Sequence, residues 1–258
     1  MKSKMTLKKS MQGLAIFAAV LALPLEAHAT LLLAANVGGA NICASDNNVG
    51  CGFAGSTTLA DTNAAVGVLS LANFTLDGIT INGSLAMSTR GNPDTLSSSS
   101  LTIFNSNSTA VTITFAIGDT GYNSANVAHS SGSGTFLLSE GSTLTQSWFN
   151  DANNAQGGEN PTDTPGVLVD TLTTTAVGPA FSFSQNGGPF PVSDPGAYSM
   201  TNFFTLNLVG GGSLVSLGQT LIKTEVAVVP EPDTLALLGI GLLGFVAVRR
   251  VSGGAKVA

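Results

Sequence analysis

Between residues 30 and 228 the hydrophobic positions repeat every second residue, which is the period of a half-buried strand rather than of a helix. The clearest segment is 109–117. There Val111, Ile113, Phe115 and Ile117 share one face, and Thr112, Thr114 and Ala116 share the other. Leu101–Phe104 precedes it across the polar stretch Asn105–Ser108, a spacing that predicts a hairpin. Val66–Leu71, Phe74–Leu76 and Ile79–Ile81 are strand-like, with Asp77-Gly78 as a tight turn and Gly83–Thr89 continuing the meander. Further strands are expected at Thr135–Ser139, Thr143–Phe149, Val167–Thr175, Ala180–Phe183, Tyr198–Val209 and Leu214–Leu221, the last two joined by Gly210–Gly212. Asp151–Pro165 and Gln185–Pro195 read as long surface loops. Turn residues recur every 8–14 positions without a repeat of fixed length. The expected fold is all-β, an antiparallel β-sandwich of jelly-roll type.

Both ends break this pattern. Lys2, Lys4, Lys8 and Lys9 are followed by the apolar stretch Met11–Leu23, then Pro24, then Ala27-His28-Ala29. A basic start, a short apolar core and small residues two apart describe a secretory signal peptide. Residues 1–29 are therefore expected to leave as a signal helix, with signal peptidase cutting between Ala29 and Thr30. At the other end Pro230-Glu231-Pro232 precedes the apolar run 234–248, and Arg249, Arg250 and Lys256 follow. That run has 15 residues. As a helix it is about 22 Å long, against a hydrocarbon core of roughly 30 Å. It reads as a thin transmembrane helix suited to temporary anchoring, with the basic tail 249–258 cytoplasmic. Gly239, Gly241 and Gly244 have the spacing of a dinucleotide-binding loop but lack the strand before and the amphipathic helix after.

The order Val229-Pro230-Glu231-Pro232-Asp233-Thr234-Leu235, then Leu237-Leu238-Gly239, then Arg249-Arg250, resembles the PEP-CTERM sorting domain of Gram-negative bacteria. The same kind of tail is sometimes labelled an ice-binding protein C-terminal domain. The resemblance covers 228–251, about a tenth of the chain. It implies an exosortase as processing partner, transient membrane anchoring through the C-terminal helix, and delivery to the cell surface or an exopolysaccharide (biofilm) matrix. It implies nothing about the chemistry of residues 30–228, the extracellular domain that precedes the sorting segment 229–258.

Composition narrows that chemistry. Residues 30–228 hold two basic side chains, Arg90 and Lys223, against 12 acidic ones, a net charge of −10. So acidic a surface cannot neutralise phosphates, which excludes nucleic acid as partner. It equally disfavours anionic membrane surfaces, so contact with the membrane is expected only through the C-terminal helix. Cys43 and Cys51 are the only cysteines, with seven residues of turn-forming sequence between them, and export makes a disulfide the expected state.

Catalytic groups are sparse. His129 is the only histidine of the exported domain and falls in an apparent loop, Asn126–Ser131, before the turn-like Gly132-Ser133-Gly134. Ser97–Ser100 reads as an ordinary polar turn. Trp148, the only tryptophan, has two readings: core filling, or a platform for stacking on a sugar ring. The oxygen-rich segment Asp151–Asp163, with Asp151, Asn153, Glu159 and Asp163, invites Ca²⁺, although Ala155 and Gln156 break the EF-hand template. No other cofactor is expected. Thr112 and Thr114, and Thr171, Thr173 and Thr175, would suit an ice-binding plane only if something stacked them into one; β-propensity explains them equally well. The expectation is a non-enzymatic structural or adhesive protein. The alternatives are a carbohydrate-binding module, Ca²⁺-assisted, then a glycan-active hydrolase or an ice-binding protein.

Overall fold

The computed structural model describes residues 30–123 and 125–225. The expected signal helix with Ala27 and Ala29, the C-terminal transmembrane helix, and Pro230, Glu231, Pro232, Arg249 and Arg250 lie outside the described residues.

Among the described residues fifteen strands build two sheets: β1 (Leu32–Val37), β2 (Ala40–Ser45), β3 (Ser56–Thr58), β4 (Val68–Ser70), β5 (Phe74–Leu76), β6 (Ile79–Asn82), β7 (Ser84–Thr89), β8 (Asp94–Asn105), β9 (Val111–Tyr122), β10 (Ala125–Leu137), β11 (Thr143–Asp151), β12 (Val167–Thr175), β13 (Ala180–Asp194), β14 (Tyr198–Leu208) and β15 (Ser213–Thr224). The first sheet runs β12-β11-β14-β9-β1-β2-β3. The second runs β13-β10-β15-β8-β6-β5, with β7 also on β8 and β4 on β7. All pairs are antiparallel except β2 with β3. The result is the expected β-sandwich. Its core takes the inward residue of each alternating pair, including Ile113, Phe115 and Ile117 of β9, each at most 1% exposed. Phe115 lies opposite Phe204 in register, with ring centroids 4.8 Å apart.

The Asp77-Gly78 hairpin forms as expected, with both residues at positive φ as a type I′ turn requires. The hairpin expected across Asn105–Ser108 does not. β8 lies in the second sheet and β9 in the first, so this connection is an arch over the end of the sandwich. The buried Asn105 holds the arch: its amide donates to the carbonyls of Thr109 (2.9 Å), Leu208 (3.0 Å) and Val209 (3.1 Å). The connections from β10 to β11, from β12 to β13 and from β14 to β15 also change sheets. A strand with one apolar face satisfies it equally by facing the opposite sheet or by following a hairpin partner, so alternation alone cannot separate an arch from a hairpin.

Gly83–Thr89 does supply a strand, but it pairs with β8 and β4 rather than extending the meander from β6. β6 and β7 share one side of β8, and the chain kinks between them at Gly83. Any side chain there would meet the Ser100 carbonyl at 2.1 Å. Gln185–Pro195 is not a loop. Residues to Asp194 continue β13, which pairs only with β10. Pro189 and Pro191 are tolerated because an edge strand needs only one of its two rows of N–H groups. His129 and Gly132-Ser133-Gly134 lie within β10, and Ser97–Ser100 within β8, not in turns. β1, β2 and β3 had no counterpart among the expected strands.

Candidate functional site

Arg90 and Lys223 are 133 positions apart in sequence, yet both enter buried polar clusters built from strand termini at one end of the sandwich. In the first cluster Arg90 Nη2 donates to both carboxylate oxygens of Asp119 (3.0 and 2.9 Å) and to the Thr120 carbonyl (2.8 Å). Ser88 Oγ donates to Asp119 Oδ2 and lies 2.8 Å from the Tyr122 hydroxyl. In the second cluster Lys223 Nζ reaches Asp194 Oδ2 and Asn150 Oδ1, while Asn150 Nδ2 donates to Asp194 Oδ1 at 2.9 Å. Lys223 Nζ sits 3.6 Å from the centroid of the Tyr198 ring, and Tyr198 donates its hydroxyl to Asp94 at 2.7 Å. The stacked rings of Tyr122 and Tyr198, 5.5 Å apart, join the two clusters.

Burial governs the protonation of these groups. It raises the Asp119 carboxyl above its ordinary value, against the lowering pull of Ser88 and Arg90. It pushes both phenols up, with nearby carboxylates adding to the effect. It lowers the Lys223 ammonium, with Asp194 opposing. A structural role accounts for these contacts: seven strands are pinned at their ends by side chains that would be costly to bury unpaired.

A groove of about 450 Å³ opens beside the second cluster, where the edge strands β12 and β13 face each other. Val167, Leu168 and Val169 form one wall, and Phe190, Pro191 and Val192 another. Asn150 and Asp194 also line it, so the groove ends against the buried polar cluster. Sequence reading missed this groove because its Phe190 wall fell in a segment taken for a loop.

The residues singled out from sequence do not converge on it. Trp148 is 0% exposed and belongs to the core, which corrects its reading as a sugar platform: an indole enclosed on all sides has no face to offer. His129 is exposed on the outward face of β10. Asp151 and Asp163 are engaged within their own loop. The Asp151 carboxylate accepts from the backbone N–H of Asn153 (3.1 Å) and of Ala155 (2.9 Å), and Asp163 accepts from the N–H of Glu159 (3.1 Å). Among the described residues no three His, Cys, Asp or Glu side chains come together as a metal site would require. The loop 152–166 instead folds onto the first sheet, where Gln156 donates to the Gly118 carbonyl (3.0 Å) and Asn154 accepts from the Gly121 N–H (2.7 Å). Cys43 and Cys51 form the expected disulfide, with Cα atoms 6.0 Å apart.

Residues 228–251 match the family model of the PEP-CTERM protein-sorting motif. This chain carries a PEP-CTERM motif. The PEP-CTERM motif marks an exported protein that an exosortase sorts to the cell surface or beyond. No curated protein matches the chain. Solved structures similar to it include a carbohydrate-binding module in complex with beta-1,4-galactotriose, at 6% identity and TM-score 0.32, covering 60% of this chain and 86% of that one. They also include the C-terminal CBM6 of LamC from Zobellia galactanivorans, at 14% identity and TM-score 0.22, covering 56% and 90%. A third is the infectious bursal disease virus Gx strain structure, at 12% identity and TM-score 0.28, covering 80% and 53%.

Proposed function

We propose that this chain is a structural or adhesive protein of a Gram-negative cell surface or exopolysaccharide matrix. It is anchored transiently by its C-terminal helix and released by exosortase cleavage near Pro230-Glu231-Pro232. The observation that carries this reading is the sorting motif on a β-sandwich whose two basic side chains, Arg90 and Lys223, are both paired within its own polar clusters. The alternation of strands between sheets after β8 supports the jelly-roll description. Mass measurement of the protein from a cell with active exosortase tests the sorting step. A mature species that begins at Thr30 and lacks Leu235–Val248 is expected; a surface protein that retains that run would refute processing.

The second reading is carbohydrate binding. It cannot run through Trp148, but half-buried Phe190 in the groove between β12 and β13 gives it one specific support. Hydrolysis is less well supported. The groove has a single carboxylate, Asp194, held by Lys223 and Asn150, where glycoside cleavage uses a pair.

A further inference from the structure

The registers of the first sheet place Thr173, Thr145, Thr205, Thr114, Asn36 and Asn41 side by side, one on each of six adjacent strands. All six are partly or fully exposed on the outward face. At the usual strand spacing of about 4.8 Å the row is roughly 24 Å long. Its polar groups are mutually aligned: the hydroxyls of Thr145 and Thr173 are 3.2 Å apart, and Asn36 donates to Asn41 at 2.7 Å. Two residues along each strand, the next row brings in Phe203 between Ser147 and Ala116. Phe203 meets Phe149 edge-on, with ring centroids 6.5 Å apart. Both rings are half-buried, and neither is among the hydrophobic side chains packed on the core.

Strand propensity accounts for threonine at any one of these positions. It does not account for four threonines in one register, nor for two phenylalanines turned away from the core beside them. Hydroxyls and amides that both donate and accept suit the hydroxyls of a sugar chain. Aromatic faces suit the apolar faces of its rings. Neither the exposed threonine–asparagine row nor the next row, of which only Thr171 and Phe203 are not buried, contains a charged side chain, although the exported domain carries a net charge of −10. An uncharged surface within an acidic domain selects a neutral partner over an anionic one.

We propose that this face binds an extended neutral polysaccharide, with Phe203 and Phe149 as the stacking platform and the threonine–asparagine row as a hydrogen-bonding rail. The proposal rests on the matrix reading above and names its ligand class and surface. The site is distinct from the groove at Phe190.

Retention of the mature protein on insoluble cellulose, insoluble β-1,3-glucan and alginate beads tests it. Binding to at least one neutral glucan and none to alginate is expected. Phe203→Ala should weaken binding about tenfold, as loss of one aromatic contact does. The double variant Thr145→Val/Thr205→Val, which keeps side-chain shape, should weaken it with an unchanged melting temperature, so the rail is tested even if Phe203→Ala misfolds. Phe190→Ala is the third variant and reports on the separate groove. Loss of binding in Phe190→Ala alone would overturn this site while leaving the matrix reading intact. Binding unaffected by all three changes would also overturn it. Failure to bind any of the three polysaccharides, or shaping of ice crystals without such binding, would overturn this site, whereas the sorting reading fails only on the mass measurement above.

Discussion

Lys223 and Asp194 form an ion pair inside the sandwich, with side chains at most 1% exposed. They come from strands that flank β10 on opposite sides, so the pair ties β15 to β13 across it. Lys223→Met should destabilise the domain by about 3–5 kcal/mol, because Asp194 is left buried without its cation. The double change Lys223→Met/Asp194→Asn should recover much of that loss. Urea denaturation of the three variants measures both effects.

Asp119 gives a pH dependence with a definite sign. Its folded-state pKa is raised, so its contribution to stability is fully present below the ordinary value of 3.8 and is lost as pH rises through the higher folded value. The stability of wild type relative to Asp119→Asn should therefore fall as pH is raised from below 3.8. Lys223 has the opposite assignment. Its folded pKa is lowered, so its contribution is present above the ordinary 10.5 and is lost as pH falls through the folded value. Denaturation midpoints over a pH series, wild type against each variant, check both signs.

Trp148 fills the core beneath the first sheet, with a solvent exposure of 0%. Trp148→Ala should cost about 3–5 kcal/mol. Its effect on any polysaccharide retention should track the unfolded fraction, whereas Trp148→Phe should retain binding. Thermal melting alongside the retention assay separates these outcomes.

The Cys43–Cys51 bridge closes a short loop from β2. Replacing both cysteines by alanine should lower stability by about 2.5 kcal/mol in the chain-entropy account. Reduction of the wild type should produce a comparable loss, and denaturation with and without reductant compares the two.

Much of the strand content could be read from the sequence because burial of one face imposes a period of two. β9 and the β5–β6 hairpin follow from that rule and from Asp77-Gly78. The rule was weakest where glycine, serine and proline crowd a strand. In β13 and the first half of β10, pairing with a neighbour maintains extended chain that local propensity would not hold. The disulfide was legible because seven residues of turn-forming sequence separate the only two cysteines.

The sequence by itself determined the all-β class, the acidic and uncharged-polar character of the exported domain, and the sorting motif, since each depends on composition or on neighbours along the chain. Only the tertiary structure decided which sheet each strand joins, that Arg90 and Lys223 would both be pinned at one end, and that Trp148 would be enclosed. It also decided that threonines 114, 145, 173 and 205 would share one row. Each of these depends on register between segments distant in sequence, and register is set by packing across the whole sandwich rather than by any one segment.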